Sequence, residues 1–300
     1  MERVSSAGLS QVMLRSSMSV QAKLAEKEIA QSSGLVSDSY AGLGSSSGKL
    51  ISMETSLAQL QTRADTTQSA LDRTESMYSA VGSMVDLVTS MRTTLSAASA
   101  ESTDSVDYAT IGANLLTDLA DLMNLQSDGR YLFAGSQTQT EPVDVSALTT
   151  PTVPSSEDTS YYSGDDVVQS VKISDQTTIE YGVTADSSGF EKALRAANIL
   201  STLDSSDLDE DAVAEAFDLA NEAMDDLLAS QGLLSINASR LESYQEQIDS
   251  SVSLLTDRIS DVKAVDTAQV AVEIAQYQNT LEASYSALGK VNQLNLIDYL

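Results

Sequence analysis

Residues 50–95, LISMETSLAQLQTRADTTQSALDRTESMYSAVGSMVDLVTSMRTTL, hold no Pro and a single Gly at position 82. Apolar residues recur at alternating steps of three and four: Leu50, Met53, Leu57, Leu60, Ala64, Thr67, Leu71, Thr74, Tyr78, Val81, Val85, Val88, Arg92, Leu95. Eleven of these fourteen positions are apolar or Ala, so one face of a long helix is marked for burial. A second stripe runs through Leu241, Tyr244, Ile248, Val252, Leu255, Ile259 and Val262. It resumes at Val270, Ile274, Tyr277, Leu281, Ser284, Leu288 and Val291. Two such helices, separated by residues 96–240 of different character, call for each other as partners. The predicted fold is mainly α: a long antiparallel helical bundle or coiled-coil stalk formed by the N- and C-terminal regions, with a small β-containing outward insertion.

Composition supports a slender molecule. With 42% hydrophobic residues, only eleven Tyr, three Phe and no Trp, the 300-residue chain has little material for a thick core. The net charge of −28 is uneven: residues 1–50 carry +1, 51–95 carry −2, 96–240 carry −21 and 241–300 carry −6. The middle therefore repels itself and faces water, while the near-neutral N-terminal region can pack against copies of itself. Sixteen scattered Lys and Arg form no basic patch, which argues against nucleic acid as a partner. The absence of both Cys and His removes disulfides, most zinc chemistry, Ser-His and Cys nucleophiles and the commonest general base, so no enzyme, cofactor or metal is expected. No run of eighteen apolar residues exists, and MERVSSAGLSQVMLRSSMS lacks the apolar core of a secretory signal. Neither membrane insertion nor a cleaved signal is expected.

Around the stripes, residues 1–31 read as a helix with a sparse apolar face at Leu9, Met13, Val20 and Leu24. Residues 32–48, with four Gly and seven Ser, break it and form a joint. Asp104 or Ser105 is expected to cap a third helix through Ile111, Leu115, Leu119 and Leu122, stopped by Ser127-Asp128-Gly129. RYLFAG, residues 130–135, reads as a strand or tight turn. The stretch holding Pro142, Pro151 and Pro154 reads as a loop, and residues 167–183 as a β-hairpin. Helical spacing returns at Phe190, Leu194 and Ala197, and again at Val213, Phe217, Ala220, Met224 and Leu227. The implied organisation is a terminal core-forming region at 1–45 and 265–300, a helical stalk at 46–130 and 186–264, and an outer hairpin and loop region at 131–185.

Two motif matches fail on inspection. Counting from Asp207, an EF-hand requires Gly at the sixth position and Glu at the twelfth, where Ala212 and Asp218 stand. The acids at 207–211 are better read as the start of a helix. Asn237-Ala238-Ser239 fits a glycosylation pattern but lies within a helical one.

A stripe of this kind most often means only packing within its own bundle. The outermost segments differ, because the face at Leu9, Met13, Val20 and Leu24 supplies about two apolar side chains per seven residues, which return too little burial to offset backbone ordering. Such ends are expected to be marginal in the monomer and to become helical among neighbouring copies. The expected assembly residues are Leu9, Met13, Val20 and Leu24 against Leu281, Leu288, Val291 and Leu294.

Certain residues resemble a known family. LMNLQSDGRYLFAGSQTQTEPV, residues 122–143, is similar to a segment of bacterial flagellin-family proteins, most of all the hook-filament junction proteins (the third hook-associated proteins). There a helix ends in an Asn-rich turn followed by Gly-Arg-Tyr-aliphatic-Phe-aliphatic-Gly. The motif residues here are Gly129, Arg130, Tyr131, Phe133 and Gly135. Tyr162-Ser163-Gly164-Asp165 resembles the Tyr-x-Gly-Asp step that follows, and LNLIDYL at 294–300 resembles the family's ending. Ser37-Asp38-Ser39-Tyr40 departs from the Asp-Asp-Pro or Asp-Asp-Ala step of many members. The resemblance implies an extracellular axial protein of the flagellum, exported through the type III apparatus with a chaperone and contacting itself, flagellin and an adjacent hook-associated protein. Flagellin proper is the alternative it leaves open, with a secreted helical effector a more distant one.

Overall fold

The computed structural model describes residues 6–99, 106–174 and 176–297, with side chains from 8 through 291 of these. In chain order the helices are α1 (Ser6–Ser33), α2 (Ser47–Ser99), α3 (Tyr108–Met123), α4 (Ser188–Ser201), α5 (Glu210–Lys263) and α6 (Thr267–Ile297). Four short strands, β1 (Gln126–Ser127), β2 (Arg130–Tyr131), β3 (Ser170–Lys172) and β4 (Thr178–Glu180), form two antiparallel hairpins. The fold is mainly α with a small β insertion, as the stripes predict. Two compact units result: Met1–Gln59 with Ser251–Leu300, and Leu60–Ser250. No helix among the described residues is long and apolar enough to cross a membrane.

In the 60–250 unit, α3 is capped by Asp107, whose Oδ1 accepts from the Thr110 N–H at 3.1 Å and whose Oδ2 accepts from the Thr110 hydroxyl at 2.6 Å. The expected caps Asp104 and Ser105 lie outside the described residues. The helix stops at Met123 rather than at Ser127-Asp128-Gly129, because Asn124 closes it by donating its N–H to the Ala120 carbonyl at 2.8 Å. Asp128 (φ 52°) and Gly129 (φ 70°) instead form the two-residue turn between β1 and β2, a conformation that Asp-Gly pairs suit. The second hairpin pairs Val171 directly with Ile179, both buried, but Asp175 of its expected turn lies outside the described residues. α3 and α4 pack closely enough that a Cβ on Gly112 would sit 2.3 Å from the Ser201 nitrogen. Phe133 and Phe190 meet with ring centroids 5.5 Å apart at the centre of this core.

The buried face of α2 departs from the predicted stripe in a regular way. Tyr78 is exposed, whereas Met77, Met84 and Met91 are completely buried. The stripe itself stays on the core, since Thr67, Thr74, Val81, Val88 and Leu95 are all buried. The slip falls on its alternate positions, where Met77, Met84 and Met91 take the buried places predicted for Tyr78, Val85 and Arg92, one residue further on. The seven-residue repeat is kept, with the second row of the seam displaced by one residue.

The acidic run 207–211 takes its structural role: Asp209 Oδ1 accepts from the N–H groups of Asp211 and Ala212 at 3.0 and 3.2 Å, capping α5. Asn237 is buried on α5, so the glycosylation pattern is closed to a sugar. The stretch 142–160 is irregular but tied down, because Asn198 donates to the Thr149 carbonyl at 3.0 Å and Glu215 accepts from the Ser155 N–H at 2.6 Å.

Candidate assembly interface

The unit of the chain ends is built on the pairing of α1 with α6. α1 turns Ser10, Met13, Ser17, Val20, Leu24 and Lys27 inward at steps of three and four, and α6 answers with Val270, Ile274, Tyr277, Leu281 and Leu288. The predicted α6 stripe is the less exposed face throughout. Lys27 Nζ lies 2.8 Å from Glu273 Oε2, and this pair raises the Lys27 pKa and lowers that of Glu273. Despite the pairing, few of the described side chains are fully buried. On α1 they are Ser17 and Ala30, on α6 Val270 and Leu281.

Where α1 ends, Gly34 adopts φ +72° and the chain turns into a two-sided clasp. Val36 donates its N–H to the Lys263 carbonyl at 2.8 Å, and Val265 donates to the Gly34 carbonyl at 2.9 Å. The break after α1 and the break between α5 and α6 are thus joined by one antiparallel bridge, Leu35 with Ala264. Glu54 braces it, accepting from Lys263 Nζ at 2.6 Å and from the Tyr40 hydroxyl at 2.7 Å. The Lys263 hydrogen bond, with the Tyr40 bond second, holds the Glu54 carboxyl below its ordinary value. The Ser-Gly-rich segment 32–48 therefore makes specific bonds rather than serving as slack, and Asp266 restarts the helix by accepting from the N–H groups of Ala268 and Gln269.

The predicted assembly residues fall into two groups. Met13, Val20, Leu24, Leu288 and Val291 are half-buried and Leu281 is buried, all on the seam between α1 and α6 of the same chain, while Leu9 is 42% exposed. Leu294 lies outside the described side chains. A different set faces water: Leu14, Met18 and Ile29 share a second stripe of α1 with the exposed Ala22 and Ala25, and Val12, Val272 and Tyr285 lie elsewhere on the pair. Met18, Ile29 and Val272 are more than 60% exposed. This much apolar surface on one thin helix pair is the mark of an interaction face. Sequence reading missed it because the 14-18-25-29 spacing is as helical as the inward one, and only the position of α6 tells them apart.

The family-like motif occupies the other unit. Leu132, Phe133 and Ala134 are buried behind β2, whereas Gly129 and Arg130 are exposed at the turn. Asp165 Oδ1 accepts from the Ser136 N–H at 2.6 Å, and its Oδ2 accepts from the Ser136 hydroxyl. Those Ser136 bonds keep the Asp165 carboxyl below its usual range. Gly135, at φ +65°, lies so close that a Cβ there would be 2.3 Å from the Asp165 carbonyl oxygen. Tyr162 donates its hydroxyl to that same carbonyl at 2.8 Å, and burial pushes its pKa up. The two family-like segments, 130–135 and 162–165, are thus one folded piece. Gly135 is needed for close approach.

These arrangements offer apolar surface for association. Among the described residues no group of three or more His, Cys, Asp or Glu is placed to hold a metal ion.

Residues 217–300 match the family of the bacterial flagellin C-terminal helical region. The fold is similar to that of a protein assigned as flagellar hook-associated in Vibrio parahaemolyticus. That match has 14% identity and a TM-score of 0.58, and covers 75% of this chain and 99% of that one. It is also similar to hook-associated protein 3 from Legionella pneumophila, with 12% identity and a TM-score of 0.54, over 70% of this chain and 98% of that one. No curated protein matches the sequence. The flagellin-family likeness read from residues 122–143 and 294–300 is thereby met again in the matched C-terminal helices and in the fold.

Proposed function

We propose that this chain is a structural component of the bacterial flagellum that joins the hook to the filament. The observation that carries the reading is the exposed apolar surface of the α1/α6 pair, on a chain whose last helices match the flagellin C-terminal region. Subunits associate through their terminal helices. The predicted residues Leu9, Met13, Val20, Leu24, Leu281, Leu288, Val291 and Leu294, together with the outward Leu14, Met18 and Ile29, supply the contacts as neighbours cover both stripes. The role is mechanical rather than enzymatic. The partners are further copies of the chain in one layer, flagellin on one side and an adjacent hook-associated protein on the other. The protein works outside the cell and reaches its place through the flagellar type III apparatus with an export chaperone.

Deleting the gene and viewing the cells by electron microscopy tests this. Hooks without filaments, with flagellin shed into the medium, are expected, and hooks bearing normal filaments would overturn the reading. Flagellin itself is the second reading, favoured by the match at 217–300. It requires purified monomer to grow long filaments on seeding, whereas a junction protein stops after one layer.

A further inference from the structure

Beside the pairing of chain ends, the 60–250 unit carries a groove with a chemistry of its own. α2 runs along the end of α3, leaving two adjoining hollows of about 640 and 410 Å³ that share Ser83, Leu122 and Leu125. Leu87, Leu122 and Leu132 form an apolar floor, and Leu125 stands 40% exposed between the hollows. Asp72 and Glu75 border one hollow, and Asp86, Asp118 and Asp121 border the other. From Asp72 to Asp86 this stretch of α2 is about 21 Å long, the length of four helical turns.

No Lys or Arg among the described residues lies within ion-pair distance of these five carboxylates. Like charges held along both sides of a narrow apolar strip repel one another, and the strip leaves leucine in water. A partner that supplied cations alone would relieve the first cost and leave the second. A further copy of this chain would worsen the repulsion, since residues 60–250 carry −25. We propose that the α2/α3 groove is a docking site for an amphipathic helical segment of another protein, one with an apolar stripe flanked by Lys and Arg. Its apolar residues cover Leu125 and Leu122, and its cations sit between the two acidic borders. The inference does not depend on the role of the chain ends.

The test uses the full chain and a fluorescently labelled helical peptide of about fifteen residues, with Leu at three- and four-residue steps and Lys elsewhere, read by anisotropy at physiological salt. Leu125→Ser and the double variant Asp118→Asn/Asp121→Asn should each weaken binding about tenfold. The exposed pair Asp218→Asn/Asp225→Asn on α5 should leave binding unchanged, and a scrambled peptide of the same composition should bind about tenfold more weakly. All substituted side chains are exposed, so circular dichroism should match the parent. Equal weakening by the control pair would overturn the proposal in favour of bulk attraction to an acidic chain. Parental affinity in Leu125→Ser would reduce the site to a sink for bare cations and overturn it as well.

Discussion

The two units are made of the same material, long Ser- and Ala-rich helices with apolar residues at steps of three and four, yet they bury it differently. In the 60–250 unit α2 and α5 share their core with α3, α4 and both hairpins, and Tyr161, Phe133, Phe190, Met77, Met84 and Met91 are removed from water entirely. In the unit of the chain ends α1 has α6 for a neighbour, and among the described residues Leu50 is the large side chain so removed. Charge divides the same way, −25 against −3. An amphipathic helix gains from its stripe only in proportion to the number of neighbours that cover it. The unit of the ends has the pattern without the neighbours, and its low charge leaves it free to acquire them from other copies.

The sharpest way to break this comparison is native-state hydrogen exchange on the isolated protein. Amides of α3 and α4 should exchange only on global opening, and those of α1 roughly 100-fold faster or more through local opening. Equal protection would mean the α1/α6 pair is stable alone, removing the reason for coupled folding and assembly. Next in size is a pair of truncations compared by urea unfolding. Phe190→Ala should cost about 3–5 kcal/mol, since it empties a closed site against Phe133. Leu24→Ala, on a half-covered seam, should cost about 1 kcal/mol or less.

Fold class was legible because burial follows helical spacing wherever a helix has one dominant neighbour. Every position of the stripe from Leu241 to Val291 is buried or half-buried. Along α2 the same reasoning holds at Thr67, Thr74, Val81, Val88 and Leu95 but slips by one residue in the alternate row, where Met77, Met84 and Met91 are buried in place of Tyr78, Val85 and Arg92, because both sets have helical spacing. The candidate site was half legible for a related cause. The Met13-Val20-Leu24 stripe is visible in sequence, but whether it faces the same chain or another depends on where α6 lies, which the spacing leaves open. The bond between Gly135-Ser136 and Asp165 spans about thirty residues, and its only trace in sequence is the pair of Gly residues at 135 and 164.

A smaller contrast separates a buried tyrosine from an exposed one. Tyr161 is fully buried and donates its hydroxyl to the Ala185 carbonyl at 2.8 Å, with burial pushing its pKa up. Tyr161→Phe leaves that carbonyl without its partner and should cost about 1–2 kcal/mol in thermal or urea unfolding. Tyr285→Phe, at a side chain 52% exposed, should leave the unfolding midpoint where it was. A loss at Tyr285 would show that the pair of chain ends is more tightly built than its exposure indicates.

The last contrast is one of acid response, and it is set within the 60–250 unit by two carboxyls pushed in opposite directions. Burial works against ionising Asp158, but the N–H groups of Ser160 and Thr149 and the Thr149 hydroxyl donate to it at 2.9, 2.8 and 2.7 Å and hold its pKa well below the ordinary 3.8. Its stabilising share is complete above that ordinary value and is lost as pH falls below it. Burial raises the pKa of Glu191 above 4.5, against the Asp158 N–H at 3.0 Å and the nearby Arg195. Its share is complete below 4.5 and is lost as pH rises through the raised value. Acidification from neutrality should therefore first gain stability through Glu191 and then lose it through Asp158. Asp158→Asn should lower stability at neutral pH, where amide replaces an acceptor facing Thr149, and flatten the fall below pH 3.8. Glu191→Gln should remove the gain and leave the fall intact. If Asp158→Asn lost stability in acid as steeply as the parent, the acid response would belong to other carboxylates. The paired acids Glu54 and Glu273 of the chain ends are the first to examine, although solvent screening makes their share small.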